Sequence, residues 1–474
     1  MDTIDAHESA LGLIGGTPLV RLRTEGTAAV YAKLEYLSIG GSAKDRIGLR
    51  MIEQAEKDGQ LRPGGTVVEA TSGNTGIGLA LVAAEKGYRA VVVVSDRASE
   101  EKVNTLRALG AEVVIKPGGL PRQHPDHPMS FATHLAGTTP GGWLANQYDN
   151  PANPEAHYLT TGPEIWRQTR GRVTHLVSCV GTGGTISGAG RYLKEVSEGA
   201  VQVIGADPAS SVYSGGDGRP YFIEAAGHFL HPDTEHDVWP TSYHPGVVDR
   251  IVPVADRHAL HTLRQLAREQ GLLAGGSSGT ALAAAHRVAA EAGADAVVVV
   301  ILPDSGRQYL SKYFNDAWML RLGFLDGDAG AARVADAAPQ DGGISPLPYL
   351  NTHTPVGEAL KVLRARKLAG VEPVLPAGPC PAGPNRRPTA PELTGSVTLA
   401  GLEAALQDGG AAPGDPLSQH LEPPLPQFGY GEPAHEALDT LTGHPRDTAV
   451  VLRDGCAEAL ITSAGLAALP PTDR

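Results

Sequence analysis

From Thr66 to Leu325, short runs of β-branched residues alternate with amphipathic stretches, and no other feature restricts the fold as much. Parallel strands joined by crossover helices produce that alternation, so the expected class is α/β with parallel sheets. Strands are expected at TVVEA from Thr66, AVVVVS from Ala90, AEVVIK from Ala111, HLVSCV from His175, VQVIGAD from Val201 and AVVVVIL from Ala296. Their near-continuous apolar character predicts burial on both sheet faces. Helices are expected between them. SEEKVNTLRALG has acids in its first turn and Gly110 at its end, in keeping with the helix dipole and a left-handed cap. Others are expected at about Arg257 to Gln270 and Gly279 to Ala292.

At 474 residues the chain exceeds what one hydrophobic core usually organises, so two or more domains are expected. Residues 326–345 are rich in Gly, Ala and Asp with little apolar periodicity, and read as a linker. Beyond it, Thr354 to Leu406 and Pro433 to Leu469 share a pattern of helix, apolar strand and helix, which points to an internal repeat. A Pro-rich insertion from Leu375 interrupts the first copy and is expected to be a surface loop.

The formal charge of −13 comes from 52 acidic and 39 basic residues, with no long basic run, and this excludes nucleic acid as an expected partner. The N-terminal MDTIDAHESALGLIGG has neither a cationic start nor an apolar core, and no stretch approaches about twenty uninterrupted apolar residues. A soluble, unexported protein without a membrane segment is expected. Cys179, Cys380 and Cys456 are far apart and odd in number, which suits neither a disulfide framework nor a zinc site, and a cytoplasmic location is expected. His228, His231 and His236 stand among Pro, Asp and Thr, a setting for a solvated loop more than for metal ligands, so no metal is expected.

Three Gly-rich turns follow strands or open helices, where a parallel sheet presents backbone amides to an anion. GTGGT, Gly181 to Thr185, offers bare amides and two hydroxyls suited to a phosphate monoester, although such turns also exist for tight packing alone. TSGNTG, Thr71 to Gly76, offers side chains beside helix amides, a cradle for a carboxylate or an ordinary cap. GGSSGT, Gly275 to Thr280, places Ser277 and Ser278 at a helix start, where serine usually caps. In GGSAKDR, Gly40 to Arg46, Lys44 begins an amphipathic helix that carries Ile47, Met51, Ile52 and Ala55 on one side. A cation sits poorly at a helix N-terminus, so imine chemistry competes there with a merely solvated lysine.

Together these segments resemble the fold-type II pyridoxal-phosphate enzymes of the cysteine synthase and cystathionine β-synthase group. The resemblance runs from IGGTPLVRL at Ile14 through GGSAKDRIGLRMI, TSGNTGIGLALVAA, SEEKVNTLRALGAEVV, NQYDNPANPEAHY at Asn146, VGTGGTISG and GGSSGT to ILPDSGRQYLSKYFNDAWM. Several motifs in one order are far more specific than any single Gly-rich loop. The resemblance implies pyridoxal 5'-phosphate as cofactor and a tryptophan synthase β-like catalytic domain over 1–325, its smaller subdomain at about 45–150. Lys44 matches the Schiff-base lysine and Asn74 the contact to the ring hydroxyl. Thr71, Ser72 and Thr75 match the loop that holds the substrate carboxylate, with Gln147 beside it. Gly181, Thr182, Gly183, Gly184 and Thr185 match the phosphate cup, and Ser277 the hydroxyl facing the pyridine nitrogen. A neutral hydroxyl there does not hold the nitrogen protonated, which weakens the ring as an electron sink and favours prompt β-elimination. Lys44 is implied to take the Cα proton before a nucleophile replaces the β-substituent.

Cysteine synthases commonly stop after this domain, whereas many cystathionine β-synthases continue into a tandem regulatory module. VTLAGLEAAL at Val397, DPLSQHLEPPLPQFGYGEP at Asp415 and TAVVLRDGCAEALITSAGLAAL at Thr448 resemble that CBS-pair module, so 346–474 is expected to be a degenerate α+β copy of it, and with no heme-binding Cys and His segment before the catalytic domain the chain resembles the heme-free type. Gly401 and Gly465 stand three residues after a Thr where nucleotide-binding copies carry an acid, and adenosyl-ligand binding is not expected. Nearer the chemistry, EAAGHFLHPDTEHDVWP from Glu224 is longer than in relatives, and Ala225 and Ala226 restrict its backbone. Ala70, Val94 and Ser95 are further departures.

The leading expectation is a homodimeric enzyme with small amino-acid substrates that condenses L-serine, or an O-activated serine, with L-homocysteine to give L-cystathionine. The rivals are cysteine synthesis or replacement by another nucleophile, and a catalytically silent cofactor-binding or sensing protein that keeps the fold.

Overall fold

The computed structural model describes residues 6–24, 26–231, 234, 236–328, 330–338, 349–365, 374–376 and 387–470. The chain forms two compact units: Met1–Gly218 with Ile223–Phe229 and Thr234–Phe314, and Arg219–Phe222 with Leu230–Asp233 and Asn315–Arg474.

The strands of the first unit are β1 (Leu19–Arg21), β2 (Ala29–Leu34), β3 (Thr66–Ala70), β4 (Arg89–Ser95), β5 (Glu112–Lys116), β6 (Gly142–Leu144), β7 (His175–Cys179), β8 (Gln202–Pro208), β9 (Arg250–Val254) and β10 (Val297–Leu302). They form two sheets, ordered β1-β2-β10-β7-β8-β9 and β5-β4-β3-β6. All pairings are parallel except β1 with β2. The helices used below are α1 (Lys44–Lys57), α2 (Asn74–Lys86), α3 (Glu100–Ala108), α4 (Pro128–Thr138), α5 (Ala152–Leu159), α6 (Thr161–Gln168), α7 (Gly184–Val196), α8 (Asp256–Gln270) and α9 (Gly276–Glu291). The mixed α/β class with parallel sheets is as expected.

β3 is buried at every residue, and β4 and β10 at all but their ends, as their unbroken apolar runs require. β5 departs from that expectation. It is an edge strand with Ile115 half exposed, because only β4 covers it in the sheet plane. At the far edge of the other sheet, β9 carries Pro253 exposed to solvent and paired with Asp207 of β8. α1 buries Ile47, Met51, Ile52 and Ala55 against Val67, Leu79 and Trp143, so its apolar stripe is the core of the smaller sheet's half. α3 ends at a glycine in the left-handed region, Gly110 at φ +82°, which closes the helix without a Cβ penalty.

In the second unit two apolar clusters lie one per repeat. One gathers Leu350, Val356, Leu360, Leu363, Val397, Leu402 and Leu417, the other Val334, Phe428, Leu441, Val451, Ile461 and Leu466. Val334 thus lies in a core although it falls in the stretch read as a linker. In each repeat a Thr caps a helix: Thr398 accepts from the Gly401 N–H at 2.9 Å and Thr462 from the Gly465 N–H at 3.2 Å. Most of the Pro-rich insertion and Cys380 lie outside the described residues. Among the described residues no helix is long and apolar enough to cross a membrane, and no cluster of His, Cys, Asp and Glu could hold a metal.

Candidate functional site

The Gly-rich turns follow the C-terminal ends of β3 and β7 and open α2 and α7, while GGSSGT opens α9. Three segments beyond β10 are stitched together by backbone hydrogen bonds. Ala43 N–H donates to Pro303 O (2.7 Å), Ser305 N–H to Gly41 O (3.1 Å) and Gly275 N–H to Asp304 O (2.8 Å). This seam places Lys44, Asp304 and the start of α9 beside one another.

Lys44 is the first residue of α1, held there by its N–H donating to Ser42 Oγ at 3.2 Å. Burial holds its amine below the usual lysine range, against the pull of Asp304, Cys179 and Glu35. Among the described residues the amine has no hydrogen-bond or ion-pair partner. Its charge acts on His157 of α5 and on Cys179 at the end of β7.

The start of α1 is anchored below Lys44 by buried charges. Arg46 bonds Glu35 (Nε to Oε2, 2.7 Å) and Glu164 (Nη1 to Oε1, 2.8 Å), and Lys33 bonds Glu164 Oε2 at 2.6 Å. Burial opposes ionisation of Glu164, but the hydrogen bonds and charges of Arg46 and Lys33 outweigh it and hold the carboxyl down at about 2. Two cations and two anions satisfy one another, the condition under which buried charge is tolerated.

In TSGNTG, Gly73 has φ +128°, and a Cβ there would lie 2.6 Å from Lys102. Thr71 Oγ1 accepts from the Gly73 N–H at 3.1 Å, Ser72 is exposed, and Thr75 donates to Gln147 Oε1 at 2.6 Å. The structure therefore joins Thr75 and Gln147, which are far apart in sequence. Asn74 donates through Nδ2 to Asp304 Oδ2 at 2.8 Å, leaving its own Oδ1 buried and unpartnered.

In GTGGT, Gly183 takes φ +82° and a Cβ would strike Tyr243 at 2.4 Å, so two constraints demand glycine. The first bond of α7 runs from Ser187 N–H to Gly183 O (3.0 Å), which turns the preceding amides off the helix end. Asn153 Nδ2 donates to both Gln147 O (2.7 Å) and Thr182 Oγ1 (3.1 Å) and so links this turn to the carboxylate turn's partner. Thr185 Oγ1 lies 3.1 Å from His157 Nε2, and the Tyr213 hydroxyl donates to Gly181 O at 2.9 Å.

At α9, Ser277, Ser278 and Thr280 are buried and none of their hydroxyls has a partner. Unpartnered buried hydroxyls are rare in finished protein interiors. Asn74 Oδ1 and Asp304 Oδ1 are likewise buried without a partner.

Sequence reasoning missed the chain of contacts behind Asn74. Asp304 accepts from Tyr309 at 2.5 Å, Lys102 donates to Tyr309 (2.8 Å) and pairs with Glu224 (2.8 Å), and Lys312 pairs with the other Glu224 oxygen (2.6 Å). The one local signal was a lysine on the apolar side of α3. In the altered loop, Ala225 takes φ +61°, rare for alanine, and Gly227 N–H donates to Val180 O (2.6 Å). His228 Nε2 lies 2.7 Å from Asp237 Oδ1, and Trp239 donates to Oδ2 of the same carboxylate (2.7 Å).

Comparison with known proteins bears on this geometry. A family profile described as pyridoxal-phosphate dependent enzyme matches residues 10–304. Cystathionine beta-synthase of Apis mellifera is 42% identical over 323 residues, covering 66% of this chain and 63% of that protein. Cysteine synthase of Staphylococcus aureus (strain N315) is 43% identical over 307 residues, covering 63% of this chain and 94% of that protein. The crystal structure of an O-ureido-L-serine synthase superposes with a TM-score of 0.60 at 37% identity, covering 66% of this chain and 99% of that one. The chain spans less than two thirds of the length of the cystathionine beta-synthases it matches.

Proposed function

The chain belongs to the family of pyridoxal-phosphate dependent enzymes, and from that we propose that it replaces the β-substituent of L-serine or an O-activated serine, with L-homocysteine as the acceptor and L-cystathionine as the product. The observation that carries the reading is the partnerless, burial-weakened amine of Lys44 at the seam with Asp304 and the start of α9, together with buried unpartnered polar atoms in two of the Gly-rich turns.

Those residues fit pyridoxal 5'-phosphate. Lys44 would hold its aldehyde end, Asn74 and Ser277 would face its ring, and Gly181, Thr182, Gly183, Gly184 and Thr185 would take its phosphate at the start of α7. When bound, the cofactor supplies a conjugated system that withdraws electrons from the amino acid's Cα.

The remaining work falls to the chain. Thr71, Ser72, Thr75 and the first amides of α2 receive the amino acid's carboxylate, with Gln147 behind them. The Lys44 amine, favoured in its neutral form by burial, accepts the proton from Cα. Ser277 would offer the ring a hydroxyl and no negative charge, so the electron withdrawal the cofactor supplies would be moderate. Asp304 fixes Asn74, and Glu224 ties the altered loop to α3 through Lys102.

A second reading, β-replacement by sulfide or another nucleophile, is favoured by one observation. The loop at Glu224 is longer than in relatives, and its strained Ala225 lies against Gly181 while Gly227 donates to Val180 O. We assign residues 346–474 to a degenerate paired module on the strength of its two capped repeats.

The test is chemical. The purified protein is expected to carry cofactor that borohydride fixes to Lys44, and to lose it in K44A. With L-serine or O-acetyl-L-serine, L-homocysteine should yield cystathionine. Turnover with another acceptor while homocysteine is inert selects the second reading. Cofactor fixed to a different residue, or none, overturns both.

A further inference from the structure

Asp45 follows Lys44 in the first turn of α1 and is 0% exposed. An acid in that position usually stands in water and complements the helix dipole. This one is buried, and among the described residues it forms no ion pair. A carboxyl taken out of water without a counter-charge weakens the fold unless hydrogen bonds replace the water. Asp45 Oδ2 accepts from the Gly40 N–H at 2.7 Å, while Oδ1 has no partner. The side chain therefore turns back out of the helix onto the loop that leads into it. Burial pushes the carboxyl up to about 6, so it is ionised at neutral pH, and protonation would still leave an oxygen to accept.

Gly40 is shaped to receive that carboxyl. A Cβ there would lie 2.4 Å from Oδ1, 2.9 Å from Cγ and 3.0 Å from Oδ2, so its three nearest obstacles all belong to Asp45. Gly40 is not among the glycines with positive φ, and the side chain of Asp45, not the backbone, is what excludes a larger residue. The bond from Gly40 to Asp45 spans five residues, and the seam lies inside that span. Gly41 O accepts from Ser305 N–H, Ser42 bridges to Asp304 and Ala43 N–H donates to Pro303 O. Lys44 comes next.

We propose that Asp45 is a positioning residue for the Lys44 amine: its carboxyl clasps Gly40, so that the seam segment and the lysine after it keep one place and the amine keeps its distance from the substrate's Cα. This rests on the reading of Lys44 as the group that takes the Cα proton. A misplacement of about 1 Å in such a group costs about 100-fold in rate.

The test mixes holoenzyme with L-serine or with Cα-deuterated L-serine and times the first change in the cofactor's absorption, so no acceptor is needed. D45A is expected to be about 100-fold slower, with a larger isotope effect than wild type because proton transfer now limits the rate. D45N keeps an acceptor for the Gly40 N–H and should stay within about threefold of wild type. G40A puts a methyl group where the carboxyl stands and should behave as D45A does, and G40A/D45A should be no slower than D45A alone. A merely structural role lowers the folded fraction and leaves the isotope effect as it was. That result, a D45N as slow as D45A, or costs of G40A and D45A that multiply, overturns the proposal. If D45A does not fold, G40A and D45N decide: G40A must show the enlarged isotope effect and D45N the wild-type one, and any other result overturns it. Borohydride fixing the cofactor to a residue other than Lys44 defeats the reading of Lys44 and this inference with it. A label on Lys44 beside an unchanged isotope effect in D45A rejects the inference only.

Discussion

His157 Nε2 stands 3.1 Å from Thr185 Oγ1, so a fully buried imidazole is the partner of the last side chain in the GTGGT turn. The ring's other nitrogen meets Thr161 Oγ1 at 2.9 Å, which spans the start of α6. Burial first, and then the charges of Lys44 and Arg46, hold the imidazole well below its ordinary 6.5. The folded protein keeps it neutral while the unfolded chain takes up a proton below about 6.5, so stability is complete above that pH and declines as pH falls. Relative to H157N, the wild type is expected to lose about 1.4 kcal/mol per pH unit below about 6.5, read by urea unfolding. A constant difference between the two would show that His157 is not the titrating group.

Tyr213 fixes the opposite end of the same turn. Its hydroxyl donates to Gly181 O at 2.9 Å, and its ring packs against Tyr243 and Trp239 with centroids 5.0 Å away in each case. Y213F keeps the packing and removes one hydrogen bond, worth about 1 kcal/mol, so pyridoxal phosphate is expected to bind the apoenzyme about fivefold more weakly. Titration by fluorescence measures this directly. Unchanged affinity would mean that the Gly181 carbonyl holds its orientation without help.

The charge cluster under α1 predicts a larger effect. E164Q leaves Arg46 and Lys33 short of a carboxylate in a dry interior and is expected to destabilise the first unit by about 3–5 kcal/mol. In the wild type Glu164 remains ionised down to about 2, against an ordinary 4.5, so its contribution is present above about 4.5 and is lost as pH falls toward about 2. Thermal unfolding across that range should show the loss in wild type and a shallower one in E164Q. Equal slopes would assign acid sensitivity elsewhere.

What the sequence made legible follows the range of the physics involved. β3, β4, β7, β8 and β10 announce themselves because each is a local apolar run. β2 does not, since Lys33 interrupts it and the interruption is tolerated through Glu164, 131 positions away, with Thr17 O and Gln168 Oε1 as further acceptors. β9 was hidden by Pro253, acceptable only at a sheet edge, and β6 by its three-residue length. Lys44 and the three turns were visible for the same local reason. Asp304 stands in one of the motifs that carry the resemblance, but its bonds to Asn74 and Tyr309 exist only once β10 and α2 converge. Glu69 and Tyr213 carry no local signature, because each acts on a partner more than 30 residues distant, and Lys102 shows only as a lysine on the apolar side of α3. In the second unit the local helix and strand patterns are legible, but the contacts that close its two apolar clusters are not.

Pro253 has a consequence for what this molecule can stick to. β9 ends the six-stranded sheet, and a row of unpaired amides on such a border is a template onto which another chain can add and polymerise. A proline has no amide hydrogen to offer, so a visiting chain meets a gap at that register and a ring that keeps it at a distance. Replacing it with valine would leave the enzyme's chemistry untouched while turning a sealed border into an adhesive one.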